Sequence, residues 1–493
     1  MAIDIKKYSK KIEVVLSSID LTIHSFQKYN IIPSDNPIIK NMYDAIKEAY
    51  NYSNDIQLIE SSELHHIHNK NDYPLSYIFF KTLKELELMD RIYPMTPDIT
   101  DIKIFIEWYR ENIHALKIDK IHKLLKDIKK TDDHTFDSLN DIYNLIYEPV
   151  ESRKILHDQL YSNNFISLDI QHDLESSDLE YSKYIVNNRH EIKIFKPKKN
   201  ITMTDNPDIM IISKIIDIME RIAIKNKNKN IPIVNLTILF SNQKKLIYPK
   251  TKILCCDNIN SGSTYPKSTI VCWRREELYK VLIHELFHYH EFDFYSSDPY
   301  YSKLENMIKI PQIKGIDMLN EAYTESATII ILSIIQFVSN KISLSESYDV
   351  PYDVLYNFMS QYIKKEITFL LFQIAKIMVL FDSQNINNYI NNNVIINQNT
   401  SFRSYFIIKM ILLFNINDLI KMMNVNLNIK NKRLIEFGSL INKSWNKFIN
   451  KNDILDLINK FIMLIKSKFT ENNNDIEWVY KTCRMSVNDI ISQ

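Results

Sequence analysis

Two histidines one helical turn apart, with a glutamate between them, carry the clearest chemistry in this chain. They are His284-Glu285-Leu286-Phe287-His288, inside the segment VLIHELFHYHEF from Val281 to Phe292. At 3.6 residues per turn, His284 and His288 share one face of a helix, so both imidazoles can reach a single tetrahedral zinc. Glu285, beside the first histidine, points next to such a metal rather than at it. There it can take the proton of a water that the metal has acidified. A plain surface helix is the bland alternative, and the flanks argue against it: Leu278, Val281, Leu282, Ile283, Leu286, Phe287 and Phe292 predict a buried helix. Two buried imidazoles beside a buried carboxylate need partners, and a metal is the simplest one.

Two histidines do not complete a metal site. The HExxHxxGxxH form is excluded, because Glu291 stands where the glycine would be and Phe294 where the third histidine would be. Glu305, His290 and Glu291 are rival third ligands; Glu305 lacks a paired acid, and the other two are too close along one helix to complete a tetrahedron. Asn320-Glu321-Ala322-Tyr323-Thr324-Glu325 begins the next predicted helix, with Glu321 lying 33 residues beyond His288. Glu321 and Glu325 are four apart and share a helix face. The run SATIIILSIIQFV that follows takes them into a core, where unpaired carboxylates are costly.

HExxH followed by a helix bearing NExx(S/T)(D/E) resembles the gluzincins, the thermolysin-like zinc metallopeptidases, over about residues 268–337. The resemblance implies zinc as the cofactor, a polypeptide as the substrate and His284, His288 and Glu321 as the metal ligands. It also implies Glu285 as general base, and Glu325 and Asn320 as supporting residues, with Glu325 accepting the free N–H of a zinc-bound histidine, most naturally His284. The spacing is longer than in thermolysin itself, which implies an inserted segment around Asp293 to Ile316. Zincins place an edge strand above the HExxH helix to pair with extended substrate, and Lys267 to Trp273 occupies that place in chain order. It is either that edge or an ordinary core strand. Attack on a peptide carbonyl also needs a donor for the developing oxyanion. All 13 histidines lie at or before His290, so a donor from the C-terminal region must be Tyr or Arg. Tyr405, and after it Arg403, in SFRSYF are the candidates.

These side chains need a scaffold of several packing units, since 493 residues exceed one small core. With 45% hydrophobic and 25% charged residues the chain has the apolar material to fold. Helical spacing at Asn41 to Tyr52, Leu75 to Met89, Ile102 to Ile118 and Ile121 to Ile128 predicts a helical N-terminal region over 1–161. Residues 162–200 read as a connector. Ile209 to Ile224 reads as a helix, and Ile231 to Phe240, Lys245 to Cys256 and Ser268 to Trp273 as short strands. Helical spacing returns at Glu276 to Phe292 and Asp317 to Phe337. The expected fold is mainly α with a small α+β zincin core over 201–340 and a helical C-terminal lobe over 341–493.

Composition removes other functions. Three glycines, far apart at Gly262, Gly315 and Gly438, exclude glycine-rich phosphate loops. Sixty-one basic against 60 acidic residues supply no bulk field toward nucleic acid or membrane. Four cysteines without a CxxC pair, and an N-terminus without a secretory pattern, point to a reducing compartment, the cytoplasm. The apolar runs Ala327 to Val338 and Ile367 to Phe381 read as core helices. His65, His66 and His68 read as a solvated loop, and the basic runs near Lys196 and Lys225 as linkers. Abundant Ile, Asn, Lys and Tyr suggest an A+T-rich coding sequence from a parasite or a large DNA virus, with host cytoplasm or virion as the setting if viral. The alternative to an enzyme is a zincin-fold protein without catalysis, working as a binding or virion structural module.

Overall fold

The computed structural model describes residues 36–64, 151–163, 165–198, 208–226, 231–247, 253–311, 313–343, 351–423, 427–469 and 480–487. The helical segments expected at 75–89, 102–118 and 121–128, and the histidines at 65, 66 and 68, lie outside them.

A six-stranded mixed sheet forms one layer, built from β1 (Ile56–Leu64), β2 (Leu179–Val186), β3 (His190–Pro197), β4 (Asn235–Ser241), β5 (Gly262–Tyr265) and β6 (Thr269–Arg274). Its order is β1-β2-β3-β4-β6-β5; the β3/β4 and β4/β6 pairs are parallel and the others antiparallel. Side chains alternate across it with period two. Ile192, Ile194, Leu236, Ile238, Ile270 and Cys272 join the large helical core on one face. Tyr181, Phe195, Leu239, Val271 and Trp273 join a smaller core on the other. That smaller core is completed by α1 (Glu151–Tyr161) and α2 (Leu168–Glu175).

The helices on the large-core face position the site. Asp208 caps α3 (Ile209–Lys225) by accepting from Met210 N and Ile211 N, which satisfies amides that a helix start leaves open. Next come α4 (Leu278–Tyr289), carrying HExxH, and α5 (Leu319–Ser343), carrying NEAYTE. The C-terminal region is helical, with α6 (Tyr352–Leu380), a π-helical turn at Ser404–Ile408, α7 (Lys409–Phe414) and further helices to Phe469. Helix α5 is long and apolar enough to cross a membrane by length and composition, but 89% of that apolar window is buried inside the protein.

The mainly helical class with a mixed sheet is as expected, and several elements differ. Residues 56–64 are a strand rather than helix, and the supposed connector supplies β2 and β3. Both strands of the hairpin, LEYSKYIV and HEIKIFKP, alternate charged with apolar residues, a pattern suited to a sheet with two differently packed faces. Between Lys245 and Cys256 the described residues make only the isolated bridges Leu246↔Thr482 and Leu254↔Gln398. Cys255 and Cys256 accordingly sit at the start of a one-turn helix rather than in the strand expected there. The strand at 269–274 is not the edge: a tight turn with Lys267 at φ 58° folds β5 against it, and β5 takes the end of the sheet.

Candidate metal centre

Helices α4 and α5 pack against each other and bring three atoms together. His284 Nε2 and His288 Nε2 are 3.0 Å apart, and Glu321 Oε2 lies 3.1 Å from the first and 3.5 Å from the second. Ligands about 2.0 Å from a tetrahedral centre are about 3.3 Å apart, so the triangle has the edge lengths that one metal ion requires. Among the described residues this is the group of three side chains that could hold a metal ion.

The opposite ring nitrogens are held by carboxylates. His284 Nδ1 lies 2.8 Å from Glu325 Oε1, and His288 Nδ1 lies 2.7 Å from Asp293 Oδ2. Carboxylates there leave both Nε2 lone pairs free for a metal. Asn320 Nδ2 donates to Asp293 Oδ2 at 3.0 Å, so Asn320 acts through Asp293. Glu325, fully buried, is also paired with the Lys280 and Lys409 ammonium groups, the latter at 2.7 Å.

The charges make a second test of the fit. Glu285, Asp293, Glu321 and Glu325 against Lys280 and Lys409 leave two unbalanced negative charges when the imidazoles are neutral, in a region almost closed to solvent. One divalent cation balances them, and an uncompensated buried charge is strongly unfavourable. Without a cation, the protons must do this work. Burial pulls His284 and His288 down, but Glu321 and Glu325 outweigh it at His284, and Asp293 and Glu321 at His288, raising both. Burial likewise pushes Glu321 up, and the two imidazoles overcome it, holding the carboxylate well below its usual range.

Glu285 stands beside the triangle. Thr264 Oγ1 on β5 donates to its Oε2 at 2.7 Å, and burial raises its pKa above the usual carboxylate value. Gly262 makes room for it: a Cβ there would come 2.5 Å from Glu285 Oε1. A small cavity opens here, lined by Ile259, Asn260, Ser261, Gly262, Val281, His284, Glu285, Tyr405 and Met485.

Tyr405 reaches this cavity from the π-helical turn, a feature frequent at functional sites. Its ring centre is 6.4 Å from that of His284, and its hydroxyl is hydrogen-bonded to Glu321. Burial, with Glu321 and Glu285 nearby, pushes its pKa well above the usual value, so it remains an O–H donor at neutral pH. Arg403 does not join it. Its Nε is 2.7 Å from Asp317 Oδ2 and its Nη1 donates to Pro311 O. Two residues along a helical turn separate the directions of these side chains, and only Tyr405 faces the metal triangle.

The rival ligands are elsewhere. Glu305 is exposed on the helix Tyr301–Met307. Glu291 pairs with Lys267 and accepts from Tyr295. Burial drives His290 down to about 4, beside Glu220 and His190 rather than the triangle. The residues that sequence reasoning missed are Asp293, Thr264, Lys280 and Lys409. Asp293 was legible in part, as an acid five positions after His288; the two lysines carry no local signal.

No protein-family model matches the chain, and no solved structure matches it. Among curated proteins it is similar to an uncharacterized protein of Acanthamoeba polyphaga mimivirus, 25% identical over 234 residues, which is 45% of this chain and 54% of the relative. The chain thus spans about half the length of the curated relative it matches. That relative comes from a large DNA virus, one of the two sources that the A+T-rich composition suggested.

Proposed function

We propose that this chain is a zinc-dependent metallopeptidase of gluzincin type, with His284, His288 and Glu321 holding the metal and a polypeptide as its substrate. The observation that carries the reading is the ligand triangle, backed on both imidazoles by a carboxylate. When bound, zinc supplies a Lewis acid that acidifies water and polarises a carbonyl. Glu285 acts as general base: its raised pKa makes it a better proton acceptor than an exposed carboxylate, and it returns the proton to the leaving amine. Thr264 fixes the carboxylate's orientation through its 2.7 Å hydrogen bond. Tyr405 donates its O–H to the carbonyl oxygen as negative charge develops there. Strand β5 ends the sheet beside Glu285, so an extended polypeptide can lie along it by strand addition. A near-neutral chain favours such a substrate over nucleic acid.

Digestion of a peptide library with and without a metal chelator tests this. Cleavage that stops on chelation and returns with zinc is expected; a zinc-loaded chain that cleaves no peptide contradicts the reading.

A further inference from the structure

Residues 480–487 run through the core beside the site, and their backbone is fastened at almost every step. Cys483 N donates to Lys245 O at 2.8 Å, Lys376 Nζ donates to Thr482 O at 2.9 Å and Gln373 Nε2 donates to Arg484 O at 2.9 Å. Three consecutive amides then meet two buried carboxylates. Met485 N and Ser486 N donate to Glu277 at 3.0 and 2.6 Å, and Val487 N donates to Glu366 at 3.2 Å, where Ser486 Oγ also donates at 2.7 Å. Lys409 Nζ completes the clamp, donating to Met485 O at 2.6 Å and to Glu325 at 2.7 Å. Glu325 is the carboxylate behind His284.

Carboxylates this deeply buried are tolerated only when several donors satisfy them. Here much of that polar material serves to hold one short stretch of backbone in register with the catalytic helix. The side chain so placed is Met485, which lines the cavity together with Val281, Ile259 and Glu285. Ser261 Oγ, in the same lining, is buried and has no hydrogen-bond partner among the described residues. The lining sets the apolar Ile259, Val281 and Met485 against the polar Asn260, Ser261, His284, Glu285 and Tyr405, and an apolar wall facing convergent polar groups has the make-up of a ligand subsite.

We infer that Met485 is a specificity-determining residue: it forms a wall of the pocket beside Glu285, and its bulk limits the substrate side chain that fits there. This rests on the peptidase reading above. The clamp at Glu277, Glu366 and Lys409 keeps the wall from yielding, so the size of residue 485, rather than movement of the backbone, sets the limit. A methylene more or less in an apolar pocket changes selectivity by about 10- to 200-fold.

Cleavage profiling of a peptide library with Met485→Ala and Met485→Phe tests it, with zinc content and circular dichroism measured on the same samples. Ala is expected to shift preference at a single substrate position toward larger side chains, and Phe toward smaller ones, by about ten-fold or more in relative kcat/KM. Zinc content stays at the wild-type level, since Met485 is not a ligand. Met485→Leu conserves volume and is well tolerated in cores, and its shorter reach is expected to shift the same position about two-fold toward longer side chains. An identical profile in every folded variant overturns the inference while the peptidase reading stands. A wild-type chain that cleaves nothing overturns both.

Discussion

At the scale of single residues, proton transfer and metal binding are assigned to different side chains, so they can be separated. Glu285→Gln keeps the shape and the proposed ligands but removes the proposed base. We expect it to retain zinc and to lose peptide hydrolysis by about 10²- to 10⁴-fold; hydrolysis surviving at the wild-type rate would remove Glu285 from the mechanism. Asp293 does not touch the metal position, yet it holds His288 Nδ1 at 2.7 Å and takes the Asn320 amide. Asp293→Ala should therefore weaken zinc affinity by about 10- to 100-fold in a chelator competition, with Glu285 and Tyr405 intact. The pairing of His284 with His288 was legible from spacing, and the roles expected of Glu321 and Glu325 came from the gluzincin resemblance, helped by each pair lying on a single helix. Lys280 and Lys409 were not legible, because they meet Glu325 only once three helices pack. Arg403 ranked second to Tyr405 in the sequence, and the direction of one helical turn sends it to Asp317 and Pro311 instead.

At the scale of elements, β5 is the part least visible in the sequence, and it lies directly against Glu285. GSTY is short and polar, with one β-branched residue, so it carries no strand pattern. Its place follows from the turn at Lys267 and the pairing with β6, which are tertiary facts. The hairpin of β2 and β3 was likewise hidden, since its charged faces suit a connector as well as a sheet that is covered differently on its two sides. By contrast α4, α5 and α6 were plain, because long apolar helices announce themselves by period. The element-level consequence is steric. Gly262→Ala puts a methyl group 2.5 Å from Glu285 Oε1, so either β5 or the carboxylate must shift. Zinc content should be unchanged while kcat falls by about ten-fold or more, since small misplacements of a reacting group are costly. A kcat equal to wild type would show that the contact is not rigid.

At the scale of the whole molecule, the site is one end of a buried polar network that reaches α6 through residues 480–487. Glu366 lies in that network, and burial raises its pKa from the ordinary 4.5 to about 7. The sign follows from linkage: the folded state holds this proton more tightly, so the associated stability is fully present below pH 4.5 and is lost as pH rises through about 7. Glu366→Gln keeps the hydrogen-bonding shape without the charge. It should flatten the decline in stability between those pH values, by roughly 3 kcal/mol in denaturant titrations; parallel curves for the two proteins would exclude Glu366 as the source. The central claim, however, is that two helices converge on one metal ion. Anomalous diffraction at the zinc edge, from crystals of the zinc-loaded chain, measures that directly. The account predicts one peak at about 2 Å from His284 Nε2, His288 Nε2 and Glu321 Oε2, and a zinc-loaded crystal with its peak elsewhere, or with Glu321 turned out of coordination, would contradict it.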